Sequence, residues 1–303
     1  MYIPKATLLG VCAILIWSTF TAFMRIVTEH CGVTQGIAII YTLGAILLCL
    51  KEGFPKINKF SKIYLLVGGA LFVCYEIFLS QAIGLAKTRE QTIEISLINY
   101  LWPCWVIIFA LFGYNQQINL LIWPGIALSF LGIVWSLTGG FSINSLIEHV
   151  VADPIPYTIV FIAAILWGLY CNLSKKFSNG KNGIPVFFIM VAGIMWCKLL
   201  IGDETLKILT FKTTLEIVVI AALITISYVF WETGIQKGNI LLLAILSYFT
   251  PIFSILFSGL WLNAMPSLSF WVGVIMVVSG SLLCWLATKH PKKKTQSLNR
   301  TRD

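Results

Sequence analysis

Glu76 stands inside a long apolar stretch, in the run Val73-Cys74-Tyr75-Glu76-Ile77. An ionisable group surrounded by hydrocarbon needs a partner and should face the interior of a helix bundle. There it can hold an ammonium group, carry a proton, or make a purely structural hydrogen bond between helices. Its candidate partners, Asn99 and Tyr100, belong to Asn99-Tyr100-Leu101-Trp102-Pro103, a phrase that returns as Ser247-Tyr248-Phe249-Thr250-Pro251. Each proline lacks an N–H and pushes away the carbonyl four residues back, which belongs to Asn99 in one copy and Ser247 in the other. Backbone freed in this way is tolerated at membrane depth where it lines a wet cavity or where neighbouring helices satisfy it. The Pro103 and Pro251 kinks therefore predict a central cavity. Trp17 and Trp167 are its expected walls, with Tyr75, Trp102, Tyr170 and Tyr248 beside them. Aromatic faces around one carboxylate suit a ligand with an apolar ring and a cationic head. Covalent chemistry has no support: there is no Ser/His/Asp set, metal-ligand spacing or phosphate loop, and His30, His149 and His290 fall in loops or the tail. No catalytic residue, cofactor or metal is expected.

The elements that must position these residues are apolar helices. The chain is 58% hydrophobic and 11% charged, whereas soluble domains carry about 25% charged residues. Ten apolar runs are predicted to span a bilayer as helices, over 6–28, 35–50, 63–86, 92–112, 118–139, 156–177, 184–201, 214–236, 239–262 and 267–288. The first begins just after Lys5 but is longer than a secretory signal core and is read as helix one. Counting 1.5 Å per residue puts Glu76 about 20 Å from the cytoplasmic end of its helix and Asn99 about 10 Å from the outer end of its own. In a core about 30 Å thick these depths coincide. Trp17 and Trp167 count to mid-depth too, away from the interfaces where tryptophan gathers. Trp123, Trp261 and Trp271 read as belt or packing residues. Glu94 and Glu232 lie nearer the ends, as cavity entrances or as side chains reaching for water. Asn172 and Lys175 read as the cytoplasmic exit of helix six.

The chain is a duplication. The two proline phrases are 148 residues apart, and so are Trp123-Pro124-Gly125 and Trp271-Val272-Gly273; Trp17 and Trp167 are 150 apart. Gly125 and Gly132 stand seven residues apart, as do Gly273 and Gly280. That spacing puts each pair on one helix face open to a close neighbour. The expected organisation is a first repeat over 1–139, a connecting loop over 140–155, a second repeat over 156–288 and a basic tail over 289–303. Five spans per repeat put the two halves in opposite orientations. With both termini on one side, 15 of the 21 Lys and Arg fall there, which makes that side cytoplasmic. The net charge of +9 thus reflects a membrane-facing basic side, with no nucleic-acid partner expected. Eight cysteines are scattered singly and read as small packing residues.

These features resemble the drug/metabolite transporter superfamily, in its branch of two five-helix EamA-type repeats. The resemblance covers essentially the whole chain. It is carried by Tyr75-Glu76-Ile77, Ile93-Glu94, the two proline phrases and Ser281-Leu282-Leu283-Cys284-Trp285-Leu286-Ala287-Thr288. It implies a basket-like bundle, multi-pass in the bacterial inner membrane, that opens to one side at a time. It also implies export of phenylalanine, tyrosine and tryptophan, with other amino acids or methyl viologen as further cargo. The expected substrate-binding residues are Trp17, Tyr75, Glu76, Asn99, Tyr100, Trp102, Trp167, Tyr170 and Tyr248. Alternatives are an exporter of other metabolites or cationic drugs, a membrane-embedded enzyme, or a channel subunit.

Overall fold

The computed structural model describes residues 5–114, 120–202, 204–237, 243, 246–247 and 249–289. Among these residues the regular structure is entirely helical. The first apolar run forms α1 (Lys5–Trp17) and α2 (Phe20–Cys31), which meet at 44°. No proline causes this bend. The Ser18 hydroxyl donates to the Ile14 carbonyl (2.9 Å) and the Thr19 hydroxyl to the Ile16 carbonyl (2.7 Å). Such bonds compete with the backbone ladder and bend a helix.

Next come α3 (Val33–Glu52) and α4 (Gly69–Leu85), the latter continuing a π-helical first turn from Tyr64. The fourth run is two helices, α5 (Arg89–Asn99) and α6 (Trp102–Tyr114). Here the expected kink is a full break. Deprived of a donor by Pro103, the chain tightens: the Tyr100 N–H bonds the Ser96 and Leu97 carbonyls, and the Leu101 N–H bonds Ile98 at 3.0 Å. Pro103 is then the second residue of α6, where a missing N–H leaves nothing unsatisfied. The half closes with α7 (Ile122–Thr138).

The connection to the second half was expected to be a loop and instead carries a short helix, α8 (Ile143–Ala152). Then follow α9 (Pro154–Phe177), α10 (Ile184–Ile201), α11 (Phe211–Lys237), α12 (Thr250–Trp261) and α13 (Leu268–Lys289). Pro251 opens α12 as Pro103 opens α6, with the Phe249 N–H turned back to Leu246 at 3.1 Å. Among the described residues, five helices are long and apolar enough to cross a membrane, or six if α1 and α2 count as one span; α7, α12 and Leu268–Cys284 are shorter apolar helices.

The closest helix pairings are α7 with α13, α1 with α11, α3 with α10 and α4 with α9. Exchanging the halves maps this set onto itself. The α7–α13 seam explains the glycine spacing. A Cβ on Gly125 would lie 2.8 Å from the Gly280 carbonyl oxygen, and one on Gly132 would lie 2.7 Å from that of Gly273. Between and beyond the glycines, the Ser129 hydroxyl donates to Val277 O (3.3 Å) and that of Ser136 to Phe270 O (3.2 Å).

Candidate functional site

The breaks in the first and fourth runs face one another across a chamber of about 650 Å³, counted with its open mouth. α1 stops at Trp17 and α5 at Asn99, and both residues line the chamber. Glu76 comes from α4, Trp167 from α9 and Thr250 from the first turn of α12; all line the chamber, as do Tyr75, Tyr100, Trp102 and Ser247. Tyr170 stands behind the wall, stacked on Trp167 at 5.1 Å between ring centroids. Tyr248 lies outside the described residues, as do residues 290–303 of the basic tail.

Glu76 is fully buried. The Tyr41 hydroxyl donates to its Oε2 and the Tyr228 hydroxyl to its Oε1. The expected partners, Asn99 and Tyr100, are therefore displaced by two phenols, one on α3 and one on α11. Charge-assisted hydrogen bonds of this kind compensate a carboxylate for lost water. They also tie the two halves together, since Glu76 and Tyr41 belong to the first and Tyr228 to the second. Tyr41 packs edge-on against Phe188 at 4.9 Å, and Tyr228 packs edge-on against Trp17 at 5.5 Å.

The aromatic wall is continuous. Tyr75 lies over Trp167 with centroids 4.5 Å apart and planes 31° apart, and Trp17 meets Trp167 nearly perpendicularly at 6.5 Å. A flat ring entering the chamber would meet both faces and edges, the geometry aromatic pairs prefer. No Lys, Arg or His is found among the described lining residues, and Glu76 is the one acid. Asn99 is buried and lines the chamber, yet its Oδ1 has no hydrogen-bond partner. No group of three or more His, Cys, Asp or Glu able to hold a metal occurs among the described residues.

From the chamber wall outward, α2, α5 and α12 close together in three layers. The Thr21 and Ser96 hydroxyls are 2.7 Å apart. Phe23 packs edge-on against Phe257 at 5.7 Å and Trp261 at 6.0 Å. Outermost, Glu29 accepts from Arg25 (2.8 Å) and from both Nε and Nη2 of Arg89 (3.2 and 2.9 Å), while Arg89 Nη1 reaches the Leu262 carbonyl at 3.0 Å. The last contact joins the halves.

The remaining candidates are held elsewhere. The Tyr157 hydroxyl donates to Glu94 at 2.5 Å. Asn172 binds the carbonyls of Val106 and Gly168, each at 3.0 Å, fastening α9 to α6. Glu232 is buried. Trp123 and Trp261 are each more than half exposed.

Sequence reasoning missed Tyr41, Tyr228, Phe20, Thr21, Leu79 and Ser96. Some signals were available. Leu79 is three residues after Glu76 and Ser96 three before Asn99, one helical turn in each case. Tyr228 falls near the middle of the 214–236 run, where a phenol needs a partner.

The profile of the EamA-like transporter family matches this chain twice, over residues 4–138 and 154–286. The aromatic amino acid exporters YddG of Escherichia coli (strain K12) and of Salmonella typhimurium are each 39% identical to it over 288 residues, covering 94% of this chain and 98% of theirs. The aromatic amino acid exporter YddG of Ancylobacter novellus is 24% identical, covering 94% of this chain and 99% of its own. A solved crystal structure with 22% identity superimposes with a TM-score of 0.67 over 94% of this chain and 98% of that one, a likeness of fold. Two matched repeats, relatives similar along nearly their whole length and a shared helical fold lead to one assignment: the chain belongs to the EamA-like transporter family.

Proposed function

We propose that the protein is a secondary or facilitative exporter of phenylalanine, tyrosine and tryptophan across the bacterial inner membrane. In this reading it crosses the bilayer ten times as two inverted five-helix repeats with both termini cytoplasmic, and it works by alternating access without chemical change to its cargo. The observation that carries the proposal is the chamber itself. Trp17, Tyr75 and Trp167 wall a space level with a fully buried carboxylate, in a chain 39% identical to proteins named as aromatic amino acid exporters. The substrate-binding set is Trp17, Tyr75, Glu76, Asn99, Tyr100 and Trp102, with Trp167, Tyr170 and Tyr248.

The geometry supports a transport cycle. An aromatic ring replaces water against the indole and phenol faces, burying apolar surface worth about 25 cal/mol per Å². Release on the outer side requires α2 and α5 to part from α12. That separation undoes the Phe23–Phe257 contact and the Arg89–Leu262 bond. Closure around cargo and opening of one end follow the rocking expected for inverted repeats.

Counterflow of labelled tryptophan in proteoliposomes tests the proposal, with a panel of amino acids and methyl viologen as competitors and with or without a pH gradient. Phenylalanine and tyrosine are expected to compete strongly, and Glu76→Gln is expected to depress exchange of all three. Exchange of methyl viologen without any aromatic amino acid would defeat the reading in favour of a cationic-drug exporter. Acceleration by the gradient would identify proton coupling.

A further inference from the structure

We propose that the carbonyl oxygen of the Asn99 side chain receives the substrate's ammonium group, so that the chamber recognises its cargo by the amine and only weakly by the carboxylate. The inference rests on the export reading above and names the end of the cargo that is gripped.

Several buried polar side-chain atoms lack a partner, among them Ser80 Oγ, Gln81 Nε2, Trp105 Nε1 and Ser258 Oγ. Asn99 Oδ1 is the one of this group whose residue lines the chamber. Asn99 is only 7% exposed, so bulk water is a poor substitute for a donor. A buried acceptor without a donor is destabilising, and a ligand N–H that fills it recovers that loss on binding. The local chain explains the placement. Asn99 is the last residue of α5 and stands beside the two-residue break before α6.

Glu76 is the obvious rival for the ammonium, but it is fully buried and each of its oxygens already accepts a phenol hydrogen bond, from Tyr41 and Tyr228. It acts through its charge, making the chamber favourable to a cation, while the buried acceptor without a partner belongs to Asn99. The faces of Trp17 and Trp167 add attraction for a cation. A carboxylate finds no cationic counterpart. The described lining holds no Lys, Arg or His, so what can donate to an anion there is neutral: the Asn99 amide, indole N–H groups and hydroxyls. Zwitterionic cargo is thus anchored at its amine, on the first-half side.

Two indole analogues separate the ends of the cargo: tryptamine, which has the amine and no carboxylate, and indole-3-propionate, which has the carboxylate and no amine. Each is added as a competitor to tryptophan counterflow and, separately, to purified protein in a thermal-shift measurement. Tryptamine is expected to compete and to stabilise the wild type. Indole-3-propionate should need a concentration about tenfold higher or more. Asn99→Leu should raise the half-maximal concentrations of tryptophan and tryptamine about tenfold or more, and Asn99→Asp should restore them by returning an acceptor. Indole-3-propionate matching tryptamine in the wild type would overturn the inference, and so would Asn99→Leu binding tryptamine normally. If Asn99→Leu does not fold, the wild-type comparison and Asn99→Asp decide. Should the wild type bind tryptamine through Asn99 yet exchange no tryptophan, the amine site stands and the proposed cargo falls.

Discussion

Two duplicated motifs in this chain have been put to different uses. The glycine pairs of α7 and α13 pack against each other, copy against copy, and each supplies the carbonyl its counterpart approaches. The proline phrases meet at the chamber, but there the copies differ: Asn99 and Trp102 stand where the other half has Ser247 and Thr250. Backbone-to-backbone contact at the seam leaves no room for either side to vary. The chamber is bounded by side chains around a space, so a change in one copy is not penalised by collision with the other. The seam holds the repeats together symmetrically, and the chamber offers an unsymmetrical cargo an unsymmetrical surface.

The sharpest way to break this contrast is at the seam. Gly132→Leu drives a side chain into the Gly273 carbonyl, which cannot swing away. A loss of about 3 kcal/mol or more is expected, seen as failure to recover a monodisperse protein after detergent extraction. An intermediate effect belongs to the Glu76 clamp. Tyr228→Phe leaves a buried carboxylate with one donor fewer and should lower stability by about 1–3 kcal/mol while also weakening tryptophan exchange. Adding Tyr41→Phe should give a non-additive loss, because both phenols serve one carboxylate; strict additivity in thermal unfolding would refute a shared clamp. At the chamber wall, Trp102→Thr makes the first copy resemble the second. It should raise the half-saturating tryptophan concentration about three- to tenfold with little change in unfolding temperature. A drop in stability without a change in affinity would place Trp102 with the packing residues. The smallest effect is Ser129→Ala in the seam. It removes the hydroxyl that donates to Val277 O and accepts from Cys104 Sγ, about 1 kcal/mol, and should leave exchange kinetics untouched.

Much of this arrangement was legible in the chain. Apolar runs marked the helices, the fixed offset between phrases marked the duplication, and the seven-residue glycine spacing marked a close seam that α7 and α13 indeed form. Depth counting brought Trp17, Glu76, Asn99 and Trp167 to one level, and all four line one chamber. Other features gave weaker signals. The bend at Ser18 and Thr19 depends on two hydroxyls choosing carbonyls of their own helix, a choice that apolar periodicity does not report. The helix inside the connection, α8, is too short to announce itself by hydropathy.

Read alone, the chain specified what is local or periodic: which stretches are apolar, where proline forbids a continuing ladder, and which residues recur at a constant offset. Partners across helices were decided only in three dimensions. Tyr41 is 35 residues from Glu76 and Tyr228 is 152 residues away, and neither separation predicts contact. Depth along a helix can be counted from sequence, but rotation about the axis is set by packing against every neighbour at once. That rotation turned Glu76 towards two phenols and left the acceptor of Asn99 without a partner.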